Sequence, residues 1–166
     1  MIQAGCIKLV MLPALLAIAA CGASAQQLAT HFSCSQSHEE EGLTAMYADS
    51  GEIRLDGDRI EAFQWESSLF RKTHGFDCSI DQSDGLQAEV RKDLSQPSWR
   101  ITLADAREAR TRRGYDSDHG FNCSIRLERS GDTLNVKPTC PALCGSRPNF
   151  TELSIDLKTG KCRHEF

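Results

Sequence analysis

The amino-acid sequence predicts a mainly β protein: a small antiparallel barrel or sandwich of about seven to eight strands, linked by disulfides and with at most one short helix. Three observations lead to this fold class. Apolar and polar residues alternate in short stretches, turn-forming residues separate the stretches, and six cysteines follow an apolar N-terminal segment. Alternation with a period of two is typical of strands that bury one face. An even number of cysteines after an export signal indicates disulfides.

The first 25 residues are a targeting segment rather than part of the fold. Leu9 to Ala20 is an apolar run of about a dozen residues, the length of a signal-peptide core and short for a membrane span. Two processing routes stay open. Ala23-Ser24-Ala25 is a small-x-small cleavage site, whereas Ile18-Ala19-Ala20-Cys21 resembles a bacterial lipobox that would leave Cys21 lipidated. Either route predicts a periplasmic or outer-membrane-anchored protein of the Gram-negative type.

Residues 26–166 then form a single β-rich domain, a length that suits one domain. Lys8 is the only charged residue of the leader, so one basic residue is lost from 19 and the remaining 18 face 23 acidic ones. The resulting net charge of −5, with His neutral, argues against nucleic acid or an anionic membrane as partner. It favours another protein of cationic character, and we expect membrane contact only through a lipid at Cys21.

Strand and turn patterns follow one another from Gly51 onward. Alternating stretches lie at 53–55, 60–64, 86–90, 99–103, 125–127, 134–136 and 153–157. Turn residues separate them at Asp56-Gly57-Asp58, Asp81 to Gly85, Ser130-Gly131-Asp132 and Lys158-Thr159-Gly160. Ser37 to Gly42 is predicted as a polar loop. Ala104 to Arg113 has helix-forming residues but no apolar stripe, so it is either a short surface helix or a polar strand.

A heptapeptide occurs twice, 45 residues apart. His74-Gly75-Phe76-Asp77-Cys78-Ser79-Ile80 returns as His119-Gly120-Phe121-Asn122-Cys123-Ser124-Ile125, with Asn in place of Asp as the one difference. Such a repeat predicts a duplicated structural unit. The two related units lie around 53–90 and 99–136, and each runs strand, variable loop, heptapeptide, turn and strand.

The repeat carries His and Cys, which leaves three interpretations open. The two His-x-x-x-Cys pairs could supply a tetrahedral zinc site with two His and two Cys ligands, although thiols oxidise in an exporting compartment. His74 and His119 could be the acid–base pair of a small secreted hydrolase. Otherwise each histidine packs its own corner of the fold. We favour the last interpretation and expect neither a metal nor a cofactor.

The disulfide pattern is predicted from the hairpins. The turn at Gly131 places Cys123 nearly opposite Cys140, and the last hairpin brings Cys144 near Cys162. The two cysteines that remain form the third pair. The predicted links are therefore Cys34–Cys78, Cys123–Cys140 and Cys144–Cys162.

Two unlike segments are the candidate binding surfaces. The acidic one consists of Glu39, Glu40 and Glu41. The basic one consists of Arg107, Arg110, Arg112 and Arg113 with Tyr115, and Arg and Tyr are favoured in the parts of an interface that carry most of the binding energy. The alternative for both segments is a solvated face.

The function favoured by the sequence is a periplasmic binding protein without enzymatic activity. No Gly-x-Ser-x-Gly, Ser-x-x-Lys or His-Glu-x-x-His motif is present in the chain. In architecture and composition the chain resembles the periplasmic lysozyme inhibitors and immunity proteins of Gram-negative bacteria, which implies an inhibitor or immunity protein against a cell-wall hydrolase. The resemblance transfers no residue roles, because the Ser-Gly-x-x-Tyr loop of one inhibitor family is absent. The alternatives are a small hydrolase using His74 and His119, and an envelope structural lipoprotein.

Overall fold

The computed structural model describes residues 26–40, 42–92, 95–114, 122–140, 143 and 148–166. Within these residues ten strands form two antiparallel sheets of four and six strands, with one α-helix and one 3-10 turn. The mainly β class, the antiparallel sheets and the single short helix are confirmed. The arrangement is a sandwich rather than a closed barrel, and the ten strands exceed the seven to eight that the sequence predicted.

The four-stranded sheet follows the chain in sequence order. Its strands are β1 (Gln27–Glu40), β2 (Leu43–Asp56), β3 (Arg59–Arg71) and β4 (His74–Ile80). The predicted turn at Gly57 is present, and that glycine adopts a φ of 61°. The prediction of a polar loop at Ser37 to Gly42 is wrong for its first four residues, because Ser37 to Glu40 continue β1 in register with β2. The backbone ladder holds this polar segment extended even though neither face is strongly apolar.

The six-stranded sheet has the order β10-β9-β8-β7-β6-β5. Its strands are β5 (Leu86–Val90), β6 (Ser98–Leu103), β7 (Ser124–Ser130), β8 (Thr133–Pro138), β9 (Glu152–Asp156) and β10 (Cys162–Glu165). The 3-10 turn Gln82–Asp84 links β4 to β5, and the helix α1 (Ala106–Arg112) lies between β6 and β7. The segment that was predicted as helix or polar strand is therefore helical.

The core lies between the sheets and draws residues from both. Trp65 of β3 and Trp99 of β6 are fully buried members of one apolar cluster. The indole Nε1 of Trp99 donates a hydrogen bond of 2.9 Å to the carbonyl oxygen of Gly57. This bond ties the six-stranded sheet to the turn between β2 and β3.

The two heptapeptide copies occupy different positions. The first copy is β4, at the edge of the four-stranded sheet, and the chain then passes to the other sheet. Of the second copy only 122–125 is described, and it leads into β7, between β6 and β8. Ile80 and Ile125 are both fully buried. The copies therefore share the burial of their final residue but lie in different sheets.

Two disulfides are described in full. The predicted Cys123–Cys140 link is present, with a Cα–Cα distance of 5.7 Å, because the β7–β8 hairpin sets the two residues opposite each other. The predicted Cys34–Cys78 and Cys144–Cys162 pairs are wrong, because Cys34 is bonded to Cys162 with a Cα–Cα distance of 5.1 Å. Ser33 of β1 bridges Lys161 in parallel, which brings β1 beside β10. Cys78 is also disulfide-bonded, and Cys144 lies outside the described residues.

Candidate functional site

The outer face of the four-stranded sheet carries a shallow trough of about 420 Å³. Its lining residues are Ser33, Cys34, Ser35, Ala48, Asp49, Ser50, Glu66 and Ser68. Side chains alternate along a strand, so the serines, Ala48 and Glu66 face outward while Cys34 and Asp49 face the other sheet. In register, Ser33 lies opposite Ser50, and Ser50 lies opposite Glu66. Small outward side chains at the centre of three adjacent strands leave the sheet uncovered there.

One exposed carboxylate, that of Glu66, lines the trough, and other carboxylates lie near it on the same face. Glu66 is exposed and accepts a hydrogen bond of 2.7 Å from Gln64. Beside it, the Ser68 hydroxyl donates a hydrogen bond of 2.7 Å to Asp77. Further along the same face, Glu52 pairs with Arg54 at 3.0 Å. Among the described residues Glu66 has no ion pair, so its charge is available to a cationic group from outside.

An apolar pair borders the trough. Met46 and Phe70 lie opposite each other in the β2–β3 ladder, two residues along from Ala48 and Ser68 on the same face. Their side chains are 41% and 42% exposed, which is high for large apolar groups on a sheet. The same face thus carries an unpaired carboxylate and, four residues further along β3, an exposed apolar pair.

A buried polar network lies beneath this sheet, on its inner face. Asp49 is only 2% exposed, and its Oδ1 accepts a hydrogen bond of 2.6 Å from Trp65 Nε1. Its Oδ2 lies 3.5 Å from His164 Nε2. On the far side of the ring, His164 Nδ1 and Thr151 Oγ1 share a hydrogen bond of 2.9 Å. The network thus joins β2 and β3 of one sheet to β10 of the other.

Burial dominates the electrostatics of this network. It raises the pKa of Asp49 to about 7, against the opposing effect of hydrogen bonds from Trp65 and Ser67. Burial also lowers the pKa of His164. Both shifts favour the uncharged forms, a protonated Asp49 and a neutral His164. Sequence reasoning missed both residues, since Asp49 precedes a turn-like Ser-Gly pair and His164 lies near the end of the chain.

Only one of the two predicted acid–base histidines lies within the described residues. His74 is exposed at the start of β4, where its Nδ1 shares a hydrogen bond of 2.8 Å with the Thr73 hydroxyl and its ring packs edge-on against Phe76. His119 lies outside the described residues. The zinc alternative is removed on chemical grounds, because Cys78 and Cys123 are both in disulfides and supply no thiolate.

The acidic segment is only partly described. Glu39 is exposed on the outer face and accepts a hydrogen bond of 2.6 Å from Thr44. The side chain of Glu40, and all of Glu41, lie outside the described residues. Glu39 therefore belongs to the same face as Glu66, at the far end of the sheet.

The basic segment is not a uniform surface patch. Arg110 is only 1% exposed, so its predicted role as a surface contact is wrong. Arg113 is turned inward and pairs with the fully buried Asp84 at 3.1 Å and with Asp81 at 2.8 Å. The reason is that α1 packs against the 3-10 turn and presents its Ala106, Ala109 and Arg110 side to the protein.

The exposed part of the basic segment is smaller than the sequence suggested. Arg112 is exposed and pairs with Glu108 one helical turn earlier, at 2.8 Å. Arg107 is exposed as well. Tyr115, which was grouped with these arginines, lies outside the described residues. Among the described residues, the exposed part of the predicted basic surface is therefore Arg107 and Arg112, and that of the acidic surface is Glu39.

Comparisons with family models, with curated proteins and with solved structures found no match for this chain. No relative therefore supplies residue roles. Within the described ranges, no group of three or more His, Cys, Asp or Glu side chains is placed to hold a metal ion. In the same ranges, no helix is long and apolar enough to cross a membrane.

Proposed function

We propose that this chain is an exported periplasmic binding protein without enzymatic activity, which recognises a cationic protein through the outer face of its four-stranded sheet. The proposed partner class is a cell-wall hydrolase, with the chain acting as its inhibitor or immunity protein. The observation that carries the proposal is the outer face, where the exposed Glu66 lines the trough and the exposed apolar pair Met46 and Phe70 lies farther along the same strands.

This combination suits recognition of a Lys or Arg side chain. Interfaces gain most of their binding energy from a few anchors, and aromatic and Arg side chains are enriched among these anchors. The small side chains around Glu66 leave room for a long basic side chain to lie along the sheet. The net negative charge of the chain would also speed the encounter with a cationic partner.

The scaffold is pre-organised for binding. β1 and β2 are each 14 residues long and stay in register over their whole length. The Cys34–Cys162 link fixes β1 to the opposite sheet. Because these strands carry the trough, little conformational entropy remains to be lost when a partner binds.

The test is binding to a panel of purified cationic cell-wall hydrolases, measured by calorimetry together with the rate of peptidoglycan lysis. We expect one or more to bind and be inhibited, and Glu66→Lys to weaken binding by about 30-fold, the effect of losing an anchor worth ~2 kcal/mol. Glu89→Lys is the matched control, since Glu89 is an exposed strand residue of the other sheet. It should change affinity by less than about threefold.

Two results contradict the proposal. One is the absence of any partner across the panel. The other is an equal loss of binding in Glu66→Lys and Glu89→Lys, which would assign the effect to net charge rather than to the trough.

The proposed location rests on the N-terminal segment and has its own test. If Cys21 is lipidated, the wild-type chain should fractionate with the outer membrane and Cys21→Ala should move to the soluble periplasmic fraction. An unchanged distribution of the variant assigns processing to the Ala23-Ser24-Ala25 site instead.

A further inference from the structure

The disulfide between β1 and β10 has an unusual neighbour. Cys34 and Cys162 are each half-buried at the edge where the two sheets meet. The Sγ atom of Cys34 lies 4.0 Å from His164 Nε2. The same ring nitrogen lies 3.5 Å from the buried carboxyl of Asp49. A proton-carrying pair thus touches one sulfur of a disulfide that is partly open to solvent.

We propose that Cys34–Cys162 is an exchangeable disulfide whose substrate is a protein dithiol, and that His164 delivers a proton to the departing Cys34 sulfur. Thiol–disulfide exchange is faster when the leaving thiol is stabilised as it departs. The geometry assigns the leaving role to Cys34, because its sulfur is the one in contact with the imidazole.

The exchange proceeds in two displacements. A thiolate of the dithiol attacks Cys162 Sγ, a new sulfur–sulfur bond forms, and the Cys34–Cys162 bond breaks with its electron pair going to Cys34. The proton held by Asp49 passes through His164 Nε2 to that sulfur, which leaves Cys34 as a thiol, Asp49 ionised and His164 neutral. The second thiolate of the dithiol then attacks the dithiol sulfur that is bonded to Cys162. The dithiol closes to a disulfide, and Cys162 leaves as a thiolate. The dithiol is oxidised to a disulfide by two electrons, and Cys34–Cys162 is reduced.

Asp49 is a positioning residue in this scheme. Its carboxyl holds the proton of the pair near the imidazole, and the hydrogen bond from Trp65 fixes its orientation. The groups that face His164 from the surrounding elements are Cys34 and Gln36 of β1, Tyr47 and Asp49 of β2, Thr151 before β9, and Phe166 beyond β10. Of these, Asp49 and Tyr47 are titratable. The ring of His38 stacks on Phe166 with 4.1 Å between the ring centroids, and Phe166 in turn stacks on His164.

The other fully described disulfide provides an internal control. Cys123 is buried, and in the described part of the chain no imidazole contacts Cys123 or Cys140. If exchange did not depend on a neighbouring proton donor, the two disulfides would open at similar rates. If it requires the proton donor, Cys34–Cys162 should open first.

The experiment uses the full exported chain with dithiothreitol as the dithiol probe. The reaction is quenched by alkylation, and each disulfide is followed by mass spectrometry between pH 6 and 9. We expect Cys34–Cys162 to open at least about tenfold faster than Cys123–Cys140, a lower bound because general acid catalysis typically contributes about 100-fold or more. The rate per dithiothreitol thiolate should fall as pH rises above about 7, where the Asp49–His164 pair loses its proton.

Two variants separate this role from a structural one. His164→Gln should lower the rate per thiolate by about tenfold or more and flatten its pH profile. Asp49→Asn should keep the disulfide but shift the pH at which the rate falls. Melting temperatures are measured alongside, and if a variant fails to fold, the wild-type pH profile decides the question.

Three outcomes overturn the proposal. The first is equal opening rates for Cys34–Cys162 and Cys123–Cys140. The second is a rate per thiolate whose pH profile is flat in the wild type or is unchanged by His164→Gln, because either result removes the proton donor from the reaction. The third is an opening rate that rises with mild urea in proportion to global unfolding, because exchange would then proceed from the unfolded chain.

Discussion

The indole Nε1 of Trp65 donates a hydrogen bond of 2.6 Å to Asp49 Oδ1, and neither side chain reaches solvent. This bond turns the second carboxyl oxygen toward His164. A buried carboxyl is tolerated only when it is hydrogen-bonded or neutral. The protonation state of Asp49 therefore contributes to how the stability of the fold varies with pH.

Asp49→Asn should become more stable relative to wild type as pH rises. Because the pKa of Asp49 is raised from 3.8 to about 7, the folded state holds a proton that the unfolded state has lost, and the stability it confers disappears between about pH 4 and pH 7. Asn does not ionise, so the gain over wild type should reach up to ~4 kcal/mol at pH 8, from about three pKa units. Urea denaturation at pH 4.5, 6 and 8 measures it.

The lowered pKa of His164 has the opposite effect on stability. The folded state holds this histidine neutral, so the stability of the fold decreases as the pH falls below 6.5. Both proteins carry that histidine, so the difference between them isolates Asp49. Ser50→Ala on the same strand serves as control, because it removes a polar side chain without a titratable group. A difference between Asp49→Asn and wild type that is constant with pH contradicts the prediction.

Arg113→Met should destabilise the fold far more than Arg112→Met. Arg113 is the cation beside the fully buried Asp84, and removal of one partner of a buried pair costs about 3 kcal/mol or more. Arg112 forms an exposed pair with Glu108, which contributes about 0.5 kcal/mol or less. Chemical denaturation of both variants checks this, and similar losses in the two would show that Arg113 is not needed to balance Asp84.

The two disulfides should differ in their contribution to stability. Cys34 and Cys162 are separated by 128 residues and Cys123 and Cys140 by 17. In the chain-entropy account these loops correspond to about 5 and about 3 kcal/mol. Double Cys→Ser variants of each pair, compared by thermal melting, should preserve that order, and a larger loss for the shorter loop would contradict it.

Gly51→Ala should destabilise the protein by about 2 kcal/mol, the usual effect of forcing an extra atom into a packed core. An added Cβ would lie 2.2 Å from the carbonyl oxygen of Gln64 and 2.8 Å from the Phe32 ring. Gly75→Ala is the matched control, because its Cβ would meet chiefly the exposed Phe70 ring at 3.0 Å, which can move aside. Equal melting temperatures for the two variants would show that the sheet yields at Gly51.

The sequence was informative wherever strands bury one face. Ile53 and Leu55, for example, alternate with polar residues because they point into the core, and the pattern was visible without a structure. The end of β1 was missed because Ser37 to Glu40 extend beyond the main core, where burial no longer imposes alternation. A strand with polar residues on both faces has the composition of a loop.

The candidate sites were harder to predict because they depend on contacts between distant parts of the chain. Asp49 meets His164, and Cys34 meets Cys162, only because β1 lies beside β10. Local patterns do not contain that sheet order. Arg110 was misplaced for a different reason, since the charge of a residue argues for exposure while packing against the neighbouring turn buried it.

The link between β1 and β10 also changes what a single cut in the chain would do. Because Cys34 is covalently joined to Cys162, every peptide bond between them belongs to a closed ring. Cleavage at an exposed turn such as Gly131-Asp132 would open the ring without separating its pieces. A nicked molecule would migrate as one species until it was reduced, so the protein would survive limited proteolysis as a covalently intact assembly of fragments.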